Sequence, residues 1–87
     1  MQADQKQITR LLRTARGQLD GILKMVEDDR YCIDISTQLL AVESVLKKAN
    51  RAILKAHMQH CVKQSFEEGH GEEKIEEILS ILDKMSK

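Results

Sequence analysis

Residues 31–65 decide the fold and read YCIDISTQLLAVESVLKKANRAILKAHMQHCVKQS. Apolar side chains recur in this stretch at alternating steps of four and three, the heptad pattern through which helices pair. They are Ile35, Leu39, Val42, Leu46, Ala49, Ile53 and Ala56. The chain has no proline, and no glycine lies between Gly21 and Gly69. The sequence therefore predicts one long helix from about residue 31 to 65.

Two further helices flank this one. From about residue 5 to 27, apolar residues recur at three- and four-residue steps, as on one face of an amphipathic helix. The acidic pair Asp28 and Asp29 breaks this pattern and is a candidate cap for the next helix. After a glycine-containing turn at residues 67–71, a similar pattern predicts a third helix from about 72 to 85. The sequence thus predicts an all-α fold with three helices per subunit.

Size and composition predict self-association. A chain of 87 residues with one Phe, one Tyr and no Trp buries a limited core, and oligomers are a common remedy at this size. The economical architecture is an antiparallel hairpin of the first two helices, doubled into a four-helix-bundle dimer. The third helix would pack outside this bundle or bridge to another dimer. We expect a single helical domain over residues 1–87.

Three residues form a candidate metal site. His57 and Cys61 are four positions apart, so on a helix their side chains converge on one face. Cys32 lies 25 positions before His57, and a rise of ~1.5 Å per residue would place it roughly 37 Å away along the same helix. A second, antiparallel copy would bring its own Cys32 beside His57 and Cys61, twice over by two-fold symmetry. The site therefore predicts a dimer.

The donor types favour a soft metal ion. Two thiolates and one imidazole suit Cu(I), with Zn(II) as the main rival. Zinc usually takes a fourth ligand, for which His60 is a candidate unless it faces solvent. Taken singly, Cys32 and Cys61 also fit the role of small buried apolar residues. The combination at helical spacing favours the metal.

Features of the sequence favour a cytoplasmic protein without a membrane partner. The first seven residues are polar, unlike a signal peptide, and no apolar run approaches the ~20 residues that span a bilayer. In the cytoplasm thiols stay reduced, so the two cysteines indicate metal binding or redox reactivity before a structural disulfide.

Basic residues form a second candidate site. Residues 1–63 hold 11 Lys or Arg against 7 Asp or Glu, whereas residues 64–87 hold 3 against 7. Rows on the first two helices could neutralise phosphates, although a solvated helix face is an equally good interpretation of them. The rows comprise Lys6, Arg10, Arg13 and Arg16, then Lys48, Arg51 and Lys55. No helix-turn-helix is visible, and no enzymatic motif is found.

Several short motifs together resemble a known family. They are Arg16–Ile22 (RGQLDGI), Tyr31 with Cys32, Ala49–Arg51 (ANR), and His57 followed by His60 and Cys61. This set, over essentially the whole chain, looks like the copper-sensitive operon repressors of the CsoR/RcnR family. The resemblance implies an all-helical transcriptional repressor without a helix-turn-helix, built from dimers that pair into a tetramer.

The resemblance also implies roles for particular residues. Cu(I) would be held in a trigonal site by Cys32 of one subunit with His57 and Cys61 of another. Tyr31 and Glu77 would share a hydrogen-bond network with the ring nitrogen of His57 that does not bind metal. Such partners fix the tautomer and orientation of a ligating imidazole.

Departures from related sensors narrow the choice of inducer. Nickel and cobalt sensors add a histidine near the N-terminus, where this chain has Met1–Asp4 (MQAD). Persulfide sensors lack the histidine that stands here as His57, and formaldehyde sensors lack the second cysteine.

For DNA contact, a helix-1 arginine of the family aligns with Leu11, and a helix-2 arginine aligns with Lys48. The expected DNA-binding residues are Arg10, Arg13, Arg16, Lys48 and Arg51.

The sequence therefore predicts a Cu(I)-sensing repressor that binds operator DNA without metal and releases it on binding Cu(I), so that copper-resistance genes are expressed. The main alternative is a repressor of the same family that responds to thiols or persulfides through Cys32 and Cys61. A third interpretation is a helical interaction module with inert cysteines and no role on DNA.

Overall fold

The computed structural model describes residues 1–86, and these residues are almost entirely helical. No strand occurs within this range, which confirms the all-α fold class. The elements are α1 (Gln5–Glu27), α2 (Cys32–His57), a π-helical segment (Met58–Val62), α3 (Lys63–Glu67) and α4 (Gly71–Met85). The π-helical segment and α3 continue the second predicted helix, so the three predicted helices correspond to α1, to α2 with its continuation, and to α4.

Capping groups define the ends of α1. At its start, the Asp4 side chain accepts a hydrogen bond from the backbone N–H of Lys6 at 3.0 Å, which satisfies one otherwise unpaired helix donor. At its end, the backbone N–H of Arg30 donates to the carbonyl of Met25 at 3.0 Å. Asp29 takes a left-handed conformation there, with φ of 51°. This is the bonding pattern by which helices commonly terminate.

The acidic pair therefore ends α1, and the prediction that it caps α2 is wrong. Asp28 is the C-cap residue of α1, and its N–H donates to the carbonyl of Lys24. The first turn of α2 instead uses the backbone of Tyr31, whose carbonyl accepts from Asp34 at 3.0 Å and Ile35 at 3.2 Å. Asp29 takes part in the turn that ends α1, three residues before α2 begins at Cys32.

The chain divides into two compact units. The first is Asp4–Ala52, and the second combines residues 1–3 with the chain from Ile53 onward. The prediction of a single domain over residues 1–87 stays a prediction. Among the helices described, none is long and apolar enough to cross a membrane.

In the first unit, α1 packs against α2 through small and branched side chains. Ala15, Ile22 and Val42 form a buried cluster, and Ile35 and Val45 pack against it. This buried cluster includes only some of the apolar residues in the predicted heptad pattern of α2. Leu39 and Leu46 keep 44% of their surface exposed. Other large apolar side chains of the two helices are also exposed, namely Leu12, Leu19, Leu23, Val26, Ile33 and Leu40.

In the second unit, α2 continues into a π-helical segment, and after α3 the chain reverses direction. The π-helical segment interrupts what the sequence predicts as one continuous helix. The sequence did not predict this interruption, because side-chain spacing alone does not distinguish a π turn from an α turn. After α3, the N–H of His70 donates to the carbonyl of Ser65, and Gly69 takes a φ of 87°. A glycine adopts this conformation without strain. The turn allows α4 to fold back.

Close packing at the start of α4 requires a second glycine. Gly71 is buried, and a Cβ atom added to it would overlap the ring of Phe66. Phe66 as a whole leaves 53% of its surface exposed. Gly71 therefore lets the aromatic ring of α3 lie directly against the backbone of α4.

We predict that Asp29→Gly stabilises the protein by about 0.5 kcal/mol, because glycine adopts the left-handed conformation without the steric cost of a Cβ atom. Asp28→Gly is the matched control, since Asp28 has a φ of −85° and glycine gains nothing there. The measurement is urea unfolding at equal subunit concentration. Equal midpoints for the two variants would contradict the argument.

We also predict that Gly71→Ala destabilises the protein by about 1–3 kcal/mol, as overpacking of a tight contact does. In a Phe66→Ala background the same change should cost much less, because the overlapping ring is gone. A double-mutant cycle of unfolding free energies measures this coupling. An identical loss in both backgrounds would show that the ring is not the cause.

Candidate metal centre

His57 and Cys61 meet at one cavity. His57 is the last residue of α2 and Cys61 lies in the π-helical segment. Both are half-buried, and both line a cavity of about 450 Å³ in the second unit. The structure thus brings together the two donors that stand four apart in sequence. Half-burial leaves both groups shielded but reachable.

The walls of this cavity are largely apolar. They come from two directions, the last turns of α2 and one face of α4. The apolar wall residues are Ile53, Leu54, Ile78 and Ile81. An apolar surround limits solvent access to a metal and its ligands and so tunes the chemistry of the site. An imidazole and a thiol in such a setting fit a soft cation better than a hard one.

Glu77 lines the same cavity and has a partner on its own helix. Its Oε1 atom is 3.6 Å from Nζ of Lys74, one turn earlier on α4, and its side chain is 57% exposed. The predicted hydrogen bond from the His57 ring to Glu77 stays a prediction. What the structure provides is a carboxylate in the same cavity as the imidazole.

Cys32 and Tyr31 lie at the opposite end of α2. Cys32 is the first residue of that helix, and its thiol is free and exposed. Tyr31 precedes it with 65% of its surface exposed. Within residues 1–86 of one chain, no three His, Cys, Asp or Glu side chains form a group that could hold a metal ion. His60 is exposed in the π-helical segment, as the solvent-facing alternative predicts.

The predicted DNA-binding residues are all exposed. Arg10 and Arg13 line a broad depression on α1 of about 740 Å³, together with Lys6 and threonine side chains. Arg13 and Arg16 line a second depression of about 310 Å³ on the same helix. The remaining two, Lys48 and Arg51, lie on α2. The structure therefore groups the three arginines of α1 along one surface.

Two residues of the cavity were not found from the sequence. Met1 and Gln2 line it together with His57 and Cys61. They precede the first periodic segment, so the apolar pattern carries no signal for them. Only the folded position of residues 1–3 reveals them.

A family model identifies the chain. The model described as "Metal-sensitive transcriptional repressor" matches residues 4–84, which include every candidate ligand and basic residue. The chain belongs to the metal-sensitive transcriptional repressor family. This is a family of transcriptional repressors rather than of enzymes. The predicted resemblance to the CsoR/RcnR family is thereby confirmed.

Individual members of the metal-sensitive repressor family are similar over most of the chain. The copper-sensing transcriptional repressor CsoR of Mycobacterium bovis is 46% identical over 68 residues, which cover 78% of this chain and 57% of that protein. The chain therefore spans little more than half the length of this relative.

Two solved structures share the fold. The copper-sensing repressor CsoR with Cu(I) from Geobacillus thermodenitrificans superposes with a TM-score of 0.84 at 36% identity, covering 94% of this chain and 85% of that one. The nickel-responsive transcriptional regulator InrS superposes with a TM-score of 0.78 at 28% identity, covering 98% of this chain and 96% of that one. The fold is thus common to a copper-sensing repressor and a nickel-responsive regulator.

Proposed function

We propose that this chain is a Cu(I)-sensing transcriptional repressor. It binds operator DNA without metal and releases the DNA on binding Cu(I), so that copper-resistance genes are expressed. The observation that carries the proposal is the shared apolar cavity of His57 and Cys61. Similarity to CsoR of Mycobacterium bovis and to the Cu(I)-containing CsoR structure supports copper as the inducer.

The third ligand is Cys32 of a second copy. Cys32 begins α2 and His57 ends it, 25 positions later in the sequence. An antiparallel second copy would place its Cys32 at the cavity of the first. The exposed thiol of Cys32 is accessible to the cavity of a second copy. Two copies would thus form two equivalent sites, each with two sulfur donors and one nitrogen donor.

Exposed apolar side chains support this assembly. Leu39 and Leu46 lie on the heptad face of α2, and Leu23 on α1 is 61% exposed. Soluble monomers seldom expose large contiguous apolar surfaces, and such surfaces usually mark interaction sites. We assign this surface to a four-helix-bundle dimer, and the outer apolar residues of α4, such as Leu79, to assembly of a tetramer.

The donor set favours Cu(I) over other metals. Two thiolates and an imidazole are soft ligands, whereas nickel sites tend to draw on nitrogen and oxygen donors with square-planar geometry. InrS shares the fold and responds to nickel, so the fold alone does not select the metal. In this chain the selection falls to Cys32, His57 and Cys61. Tyr31 and Glu77 would orient the His57 ring by hydrogen bonding to its other nitrogen.

The DNA-binding surface is the basic face of the first unit. Arg10, Arg13 and Arg16 follow one another along α1, and Lys48 and Arg51 are exposed on α2. Contacts from such residues to phosphates give affinity that falls steeply with salt. Because binding is linked, copper and DNA must weaken each other's binding by the same factor. This mutual effect defines the switch, which would operate in the cytoplasm, where the operator is located.

Response to thiols or persulfides is the alternative that the site itself disfavours. That mechanism needs only Cys32 and Cys61, yet His57 lines the cavity with Cys61. An imidazole is not part of a disulfide or persulfide bond, whereas it completes a trigonal copper site. The two mechanisms therefore differ in their dependence on His57.

We predict that the protein binds one Cu(I) per subunit, with two sulfur neighbours and one nitrogen neighbour by X-ray absorption. His57→Ala should lower Cu(I) affinity by on the order of 100-fold, because loss of a ligand should cost at least as much as loss of a group that only supports a ligand, which costs roughly 10–100-fold. Anaerobic titration against a competing chelator measures both values. His60→Ala is the matched control, since His60 is exposed in the adjacent turn.

The variant His57→Ala also separates the rival mechanisms. Under copper sensing, His57→Ala retains DNA binding but no longer releases DNA when Cu(I) is added. If His57→Ala released DNA with Cu(I) as readily as the unsubstituted protein, copper sensing through this cavity would be ruled out. Release by a persulfide donor with no effect of copper would establish the alternative instead.

We further predict that Arg13→Ala weakens operator binding and reduces the slope of log affinity against log salt by about one for each phosphate contact removed. Lys84→Ala is the control, because this substitution also removes one positive charge but does so on α4. Fluorescence anisotropy over a range of salt concentrations gives the slopes. Equal slopes for both variants would place the DNA elsewhere.

A further inference from the structure

Two residues of α1 line both depressions of the basic surface. The depression of about 740 Å³ and that of about 310 Å³ share Thr9 and Arg13, which stand four positions apart. Residues at this spacing lie on one face of a helix, with Cβ atoms about 5–6 Å apart. Helical side chains also lean toward the N-terminus, so the long side chain of Arg13 extends over the turn that carries Thr9. Thr9 and Arg13 can therefore offer a hydroxyl and a guanidinium to the same ligand.

The charges around the two depressions favour an anion as that ligand. The cationic side chains that line them are Lys6, Arg10, Arg13 and Arg16. No Asp or Glu within residues 1–86 lines either depression. Phosphate oxygens of DNA accept hydrogen bonds from threonine hydroxyls as well as from arginine and lysine. The surface is thus suited to a phosphate that is held by charged and uncharged donors together.

The hydroxyl of Thr9 is free to donate, whereas that of a neighbouring threonine is not. Thr14 also lines the larger depression, but its Oγ1 donates to the carbonyl of Arg10 at 3.0 Å. Thr37 on α2 makes the same kind of bond to the carbonyl of Ile33 at 2.8 Å. Thr9 is half-buried, and its hydroxyl has no hydrogen-bond partner among residues 1–86. Because phosphate oxygens only accept, this difference decides which threonine can bind one.

We propose that Thr9 is a DNA-binding residue whose hydroxyl donates to an oxygen of the phosphate that Arg13 binds. The inference rests on the proposed function, because it concerns the DNA-binding surface of α1. It adds an uncharged donor to a surface that charge alone would assign to arginine and lysine. A contact of this kind positions the protein on the DNA backbone and reads no base sequence.

The test compares DNA binding by variants of the full, metal-free chain. One fluorescent duplex is selected from a random pool by the unsubstituted protein, and an unselected duplex of the same length is the second probe. Thr9→Val removes the hydroxyl but keeps the branched shape of threonine. Thr14→Val is the matched control, since its hydroxyl is already bonded within α1. Fluorescence anisotropy at several salt concentrations gives the affinities.

We expect Thr9→Val to bind both duplexes on the order of tenfold more weakly, as loss of a hydrogen bond to a charged acceptor does. The slope of log affinity against log salt should not change, because a neutral hydroxyl releases no counterions. Thr14→Val should bind like the unsubstituted protein. Arg13→Ala, in contrast, should lower both the affinity and the slope.

The proposal is overturned if Thr9→Val binds as tightly as the unsubstituted protein or as Thr14→Val. It is also overturned if the loss is confined to the selected duplex, because Thr9 would then contact a base. Thr9→Ser keeps the hydroxyl and should retain most of the affinity. A loss for Thr9→Ser as large as that for Thr9→Val would show that the shape of the side chain, and not its hydroxyl, is responsible.

A double-mutant cycle tests whether Thr9 and Arg13 share one phosphate. If they do, Thr9→Val should weaken binding less in an Arg13→Ala background than in the unsubstituted protein, because the phosphate is no longer held in place. Equal losses in the two backgrounds would show that the two residues act independently and would contradict the shared contact.

These outcomes separate the role of Thr9 from the function on which it rests. If the unsubstituted protein binds neither duplex, the repressor proposal and the role of Thr9 fail together. If Arg13→Ala weakens binding and lowers the salt slope while Thr9→Val changes nothing, the DNA-binding surface stands and only the role of Thr9 is lost.

Discussion

The rigidity of a helix governs the arrangement of the candidate metal centre. A metal ion needs its donors within bonding distance, about 2.0 Å for imidazole nitrogen and 2.3 Å for thiolate sulfur with zinc as a guide. In this chain α2 begins with one thiol and ends with the imidazole, and the second thiol lies in the following π-helical segment. Neither end of a regular helix can bend to the other. A site that uses all three donors therefore requires a second chain, and the apolar surfaces left exposed on α1 and α2 offer the means to hold it.

The cavity itself depends on a reversal of the chain. Gly69 supplies the left-handed conformation that ends α3, and Gly71 allows the start of α4 to lie against Phe66. Because the chain turns back here, Ile78 and Ile81 of α4 face the same cavity as His57 and Cys61. Two residues without side chains thus make it possible to surround a soft donor pair with apolar walls. The surroundings of His57 and Cys61 are therefore set by this turn as well as by α2.

The basic face and the metal cavity belong to different compact units. The arginines of α1 lie in the first unit, and His57 and Cys61 lie in the second, while α2 contributes residues to both. A coupling between metal and DNA requires an element whose arrangement both ligands bias. The helix shared by the two units is the natural candidate, since its residues 32–52 belong to one unit and its residues 53–57 to the other. In the proposed dimer the same helix also begins with a ligand of the partner's site.

Local patterns in the sequence were enough to predict the helices and the convergence of His57 with Cys61, because helical periodicity acts over three or four residues. The same patterns predicted exposed arginines on α1, since a polar face needs no knowledge of distant contacts. The π-helical turn, the role of the Asp28–Asp29 pair in ending α1, and the place of Met1 and Gln2 in the cavity of His57 and Cys61 were decided only by the tertiary structure. Each depends on where the backbone turns or on contacts between residues far apart in sequence, and no short-range repeat records such contacts.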